Sequence, residues 1–155
     1  GRPDMASTAK WATPNTADTV ATTALNSLAA GAYSGLLTEI DNASGLYLYG
    51  DLEVLLGADL TCAAGAPYIG VFLVPTLDGS NYPNPPSGTG AVPTTYLVGS
   101  ILANASATFR RGFLRGIILP PFKFKIDLYH GLHGSTAWNA TGNTCSLYRY
   151  NEQAV

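Results

Sequence analysis

A chain of 155 residues is long enough for one domain with a sizeable core and too short for two. Its formal charge of -2 gives no general attraction for nucleic acid or anionic lipid, so neither is expected as a partner. Only 12% of the residues are charged, where about a quarter is usual, and a surface so rich in Gly, Ser, Thr, Asn and Tyr suits a protein that works in contact with others.

Gly1 to Asp4 precede Met5, which makes Met5 the candidate native start and residues 1–4 a processing or cloning remnant. Residues 1–33 hold few large apolar side chains beyond Trp11, Val20, Leu25 and Leu28. Such a stretch cannot offset its own ordering entropy, so it is expected to be an extended arm that orders by lying on a partner through those four residues. A helical turn or two is expected within residues 18–30.

From Tyr33 onward the signals are β, and residues 34–155 are expected to form the folded domain. A strand over residues 36–40 is closed by the turn pair Asp41-Asn42. Gly45 opens the clearest period-two run, with Leu46, Leu48, Gly50, Leu52, Val54 and Leu56 on one face and Tyr47, Tyr49, Asp51 and Glu53 on the other. Residues 68–74 are apolar on both faces, as a central strand or one covered by a partner would be. Asp78-Gly79 and Pro83, Pro85, Pro86 and Pro93 predict a long irregular loop over residues 76–93.

Strands are predicted to resume at 95–102, 107–110, 113–119, 122–129 and 144–150. In the fourth of these, Pro120-Pro121 marks the entry; Phe122, Phe124, Ile126 and Leu128 form a dry face and Lys123, Lys125, Asp127 and Tyr129 a wet one. About seven or eight short strands with turns between them predict an all-β fold, an antiparallel β-sandwich, jelly-roll-like, with an extended N-terminal arm. No apolar run approaches the roughly 20 residues that cross a bilayer and no signal segment opens the chain, so a soluble protein with no membrane partner is expected. Cys62 and Cys145 lie far apart; they suit two buried thiols or one disulfide, which leaves the redox compartment open.

Few residues suggest chemistry. Asp51 and Glu53 share a strand face roughly 7 Å apart, within the range of paired catalytic carboxylates. The plainer reading, which we favour, is that they face Lys123 and Lys125 on a neighbouring strand. Asp127, His130 and His133 resemble a short metal cluster, but Gly131 and Gly134 break the segment, so loop histidines, no metal and no cofactor are expected. No nucleophile elbow, phosphate cradle or calcium loop is found, Asp78-Gly79-Ser80-Asn81 reading as a tight turn, so an enzyme is the least supported class. Arg110, Arg111 and Arg115 suit an edge that grips a protein partner. Asn42-Ala43-Ser44, Asn104-Ala105-Ser106 and Asn139-Ala140-Thr141 match glycosylation sequons and read as turns.

Several segments are worded like one another's counterparts in a known group. Leu25-Asn26-Ser27-Leu28, Ile40-Asp41-Asn42, Leu46 to Glu53, Val74 to Tyr82, Leu119-Pro120-Pro121-Phe122-Lys123-Phe124 and Leu147 to Glu152 together cover most of residues 20–152. In these the chain resembles a family of small structural proteins of the tailed-bacteriophage virion. The resemblance implies a non-enzymatic capsid decoration, or cement, protein that binds the major capsid protein, most simply as a homo-oligomer such as a trimer. It implies assembly in the bacterial host cytoplasm and a place on the capsid surface. Two rivals stand beside it: a tail, baseplate or fibre component, and a carbohydrate-binding sandwich with Tyr47, Tyr49 and Tyr129 as an aromatic platform.

Overall fold

The computed structural model describes residues 8–83 and 94–154. In chain order the strands are β1 (Ala9–Trp11), β2 (Asp18–Ala21), β3 (Ile40–Asp41), β4 (Tyr49–Thr61) and β5 (Tyr68–Pro75). There follow β6 (Leu97–Leu102), β7 (Thr108–Ile118), β8 (Lys123–Gly131), β9 (Thr144–Tyr150) and β10 (Glu152–Ala154), with a one-turn helix α1 (Asn42–Gly45) between β3 and β4.

Eight of these strands build two four-stranded antiparallel sheets, in the orders β2-β9-β4-β7 and β3-β8-β5-β6. The pairing is nested: β2 with β9, β3 with β8, β4 with β7 and β5 with β6, as in a long hairpin rolled up from its middle. The sheets pack because each has one dry face. Leu52, Val54 and Leu56 of β4 and Cys145 and Leu147 of β9 meet Ile69, Val71 and Leu73 of β5 and Phe124, Ile126 and Leu128 of β8 in one core. Each such side chain contributes about 1.5–3 kcal/mol of burial. The fold is thus the expected antiparallel β-sandwich.

The strand β5 lies between β6 and β8 with both faces covered, which explains its unbroken apolar sequence. Phe72 points away from the core and is covered by Tyr33, their rings 5.7 Å apart. Cys62 and Cys145 are both buried free thiols.

Several expectations need correction. Residues 8–33 do not form an arm waiting for a partner. The strand β2 is an edge of the first sheet, β1 pairs with β10, and Val20 and Leu25 are fully buried in the chain's own core. The low apolar density misled because Val20 and Leu25 point inward and Leu28 packs against the core, leaving Trp11 exposed. The helical turns expected within residues 18–30 reduce to one 3-10 turn, Thr23–Leu25.

Leu46 and Leu48 do not share the dry face of β4. Asp41 caps α1 by accepting from the Ala43 and Ser44 amides, at 3.0 and 3.2 Å, and Leu46 ends that turn in the left-handed region with φ 49°. The alternation therefore starts only at Tyr49, and both leucines are exposed. The strand expected over 36–40 shrinks to β3, while the two expected over 107–119 are the single strand β7. At Gly112 within β7, a Cβ would lie 2.5 Å from Ile101 Cγ2, so glycine here admits the β6 corner rather than ending a strand. Of the loop expected over 76–93, residues 84–93 lie outside the described residues. Its start is the tight turn expected, with the Asp78 carboxylate accepting from the Asn81 and Ser80 amides at 2.7 and 2.9 Å, and these bonds hold its pKa well below the ordinary range.

Candidate functional site

The odd-numbered residues of β4 face outward, and the register carries their neighbours onto the same face. Asp51 lies opposite Tyr148 of β9, Tyr49 opposite Tyr150, and Glu53 opposite Phe113 of β7. The β1–β10 ribbon brings Trp11 to the end of this face, where its ring stands perpendicular to Tyr49 and Tyr150, with centroids 5.7 and 5.3 Å away. Between these walls runs an open groove of about 620 Å³. Trp11, Ala12 and Pro14 form one bank, Leu52, Phe113, Tyr148 and Tyr150 much of the floor, and Asp51, Glu53 and Arg115 the polar positions.

Asp51 is held firmly. Its Oδ1 accepts from the Gly116 amide at 2.8 Å and the Tyr150 hydroxyl at 2.9 Å, and its Oδ2 accepts from Arg115 Nε at 3.2 Å. Partial burial pushes its pKa up, but these donors together outweigh that and hold it below the ordinary value. Burial first, and then the bond to Asp51, raise the Tyr150 phenol against the smaller opposing pull of Arg115. The Glu53 carboxylate lies 3.6 Å from Arg111 Nε.

The proposed pairing of Asp51 and Glu53 with Lys123 and Lys125 is therefore wrong. The strands β4 and β8 belong to opposite sheets, and the arginines of β7 take the place of the lysines. Lys123 Nζ instead lies 3.8 Å from Glu39 Oε1, and Lys125 Nζ sits 4.5 Å from the centre of the Tyr82 ring. Arg110, the third of the cluster, donates from Nε to the Leu56 carbonyl at 2.7 Å.

The three tyrosines expected to form one platform are separated. Tyr49 joins Trp11 and Tyr150 on the first sheet, whereas Tyr129 of β8 packs with Tyr33 and Tyr68, at 4.8 and 5.6 Å, on the second. Tyr47 is drawn aside by the Arg149 guanidinium, 4.9 Å over its ring. What takes their place is Tyr148 and Phe113, on strands expected at 144–150 and 113–119 whose faces the sequence left unassigned. Of the residues expected to contact a partner, Trp11 is exposed in the groove, Leu28 is packed against the core, and Val20 and Leu25 are inside it.

The histidines are occupied by backbone. Buried His130 accepts from the Leu132 amide at Nδ1, 3.2 Å, which assigns the proton to Nε2 for donation to the Thr136 carbonyl at 2.8 Å. Burial lowers its pKa, in keeping with a neutral ring. His133 Nδ1 accepts from the Ser135 and Thr136 amides at 3.0 and 3.1 Å. Among the described residues no three His, Cys, Asp or Glu side chains converge as metal ligands, and no helix is long and apolar enough to cross a membrane.

Comparison with family models, with curated proteins and with solved structures finds no match to this chain.

Proposed function

We propose that the chain is a structural protein of a bacteriophage particle, a decoration protein that docks on the major capsid protein shell and stabilises it by contact rather than by chemistry. The observation that carries this reading is the open side of the sandwich. There β7, the last strand of the first sheet, and β6, the last of the second, run as edges with no further strand paired to them among the described residues. They expose Leu97, Val98, Leu102 and Ile118, of which Leu102 is 79% and Ile118 77% exposed. A free edge offers a row of backbone donors and acceptors, and a protein that leaves it apolar invites a partner. Arg110, Arg111 and Arg115 stud the same strand.

The nested pairing of β2 through β9 supports reading the sandwich as a jelly roll, an architecture used by viral capsid and lectin domains. That support is by analogy of fold. The wording of residues 20–152 supports the same class. Many copies on one shell, each alone or as a trimer, would let weak contacts add up.

The test uses phage shells prepared without the protein and purified chain added back. Wild type is expected to co-sediment with the shells and to raise the temperature at which they open. The double variant Leu102→Asp, Ile118→Asp, folded by circular dichroism, is expected to lose both effects. Binding to isolated tails and not to shells would overturn the decoration role.

A further inference from the structure

We infer that the groove between Trp11 and β7 binds a neutral saccharide, a short oligosaccharide of about two or three rings by its size. Three aromatic side chains from three separate strands stay in water around it: Trp11 is 62% exposed, Phe113 55% and Tyr148 40%. Sugar rings bury their C–H faces on such surfaces and need polar groups at the margin for their hydroxyls. The groove supplies both. Asp51 is fixed by three donors. The Glu53 carboxylate is paired with Arg111 Nε at 3.6 Å and makes no side-chain hydrogen bond among the described residues, so it can still accept from a hydroxyl, and Arg115 spends Nε on Asp51 while no partner is found there for its two terminal nitrogens.

Charge and backbone narrow the occupant. Each carboxylate already faces a guanidinium, Asp51 with Arg115 and Glu53 with Arg111, so the groove has no excess positive charge to draw a phosphate or an acidic polymer. An extended peptide lying in the groove would cross β4, which is already bonded to β7 on one side and β9 on the other; the open edge of β7 is on its far side, away from β4, and is not the groove floor. An apolar helix would cover Asp51, Glu53 and Arg115 without replacing their water. Hydroxyl-rich rings satisfy the carboxylates and the aromatic faces together.

The site is independent of the capsid proposal, and its test needs purified protein and no particle, so failure of one leaves the other standing. Trp138 is buried and Trp11 exposed, so acrylamide quenching of tryptophan fluorescence reports on Trp11. Maltotriose, chitotriose and oligosaccharides released from bacterial surface polysaccharides are the probes. At least one is expected to shield Trp11 from quenching, with calorimetry giving the affinity. Tyr148→Ala and, separately, Phe113→Ala should weaken that affinity about tenfold, near 1.4 kcal/mol. Tyr68→Ala, on the other sheet, should leave it unchanged. No shielding by any probe at millimolar concentration, equal binding by both groove variants, or shielding produced by raising the protein concentration alone would overturn the inference.

Discussion

A carboxylate with one oxygen buried and without a partner is most stable with its proton on, and Asp127 is so placed. Its Oδ1 accepts from Ser34 Oγ at 3.2 Å, whereas Oδ2 is buried without a hydrogen bond. Burial pushes its pKa up to about 6, against the smaller opposing pull of Ser34, Gly35 and Leu128. The groups around it are the phenols of Tyr33 and Tyr129 and, two residues back on the same strand, Lys125. Because the folded pKa lies above the unfolded value of about 4, the group's contribution to stability is full below pH about 4 and is lost as pH rises through about 6. Buried His130 has the opposite sign, its lowered pKa removing stability as pH falls, so the net profile of the wild type mixes the two. Asp127→Asn separates them. It is expected to raise stability at pH 7.5 by about 1–3 kcal/mol and to change it little at pH 4, read from urea melts at both values; a less stable variant at pH 7.5 would refute the account. Gly57 is a second residue whose identity is set by its neighbours. A Cβ there would lie 1.8 Å from the Thr141 carbonyl oxygen, and the loop cannot easily retreat, since Asn143 accepts from the Gly57 amide at 3.0 Å and donates to the Asn139 carbonyl at 2.7 Å. Gly57→Ala should destabilise by about 1–3 kcal/mol in the same melts.

At the scale of elements, the short strand β2 depends on a contact that no sequence pattern announces. Arg149 on β9 grips Asp18 in β2 through Nε and Nη2, at 2.6 and 3.2 Å, and its Nη1 donates to the Asp41 carbonyl at 2.8 Å. One buried side chain thereby ties β2, β9 and the end of β3 together. Arg149 is nearly buried and Asp18 partly exposed, so removing Asp18 leaves a charge that water only partly reaches, at about 1–3 kcal/mol. Asp18→Ala is therefore expected to lose that much stability and to speed amide exchange at Thr19, Val20 and Ala21 ahead of the β4 and β5 amides. Uniform acceleration across both sheets would mean that β2 is not a separable unit. Alternation told which residues of β4 and β8 point away from the core, and those faces are right from Tyr49 and Lys123 onward, but Asp127, expected to be wet, is buried beside Ser34. Alternation is silent on which strands are neighbours, which is why Asp51 and Glu53 were matched with lysines of the opposite sheet instead of Arg115 and Arg111. The groove was missed for the same reason: Trp11, Phe113 and Tyr148 meet only through pairings between distant segments.

Across the whole molecule the nested pairing makes the first strand as necessary as the last. Because β2 closes one end of the first sheet against β9, residues 18–25 add Val20, Ala21 and Leu25 to the core that the later strands build. Two of these, fully buried, contribute about 1.5–3 kcal/mol each, and the Asp18 pair adds to them, against a total stability of about 5–15 kcal/mol for a domain. A chain beginning at residue 34 should then fail to fold cooperatively, with a broad thermal transition and exposed apolar surface that binds dye. A chain beginning at residue 8 retains every described contact and should melt within a degree or two of the full chain. The comparison separates the two accounts of the N-terminal segment, since a free arm predicts that both truncations melt alike. It also sets how the capsid proposal must be tested: deleting residues 5–33 would destroy the sandwich itself, so loss of shell stability in that variant would not speak for the arm, and only substitutions on β6 and β7 address the docking edge.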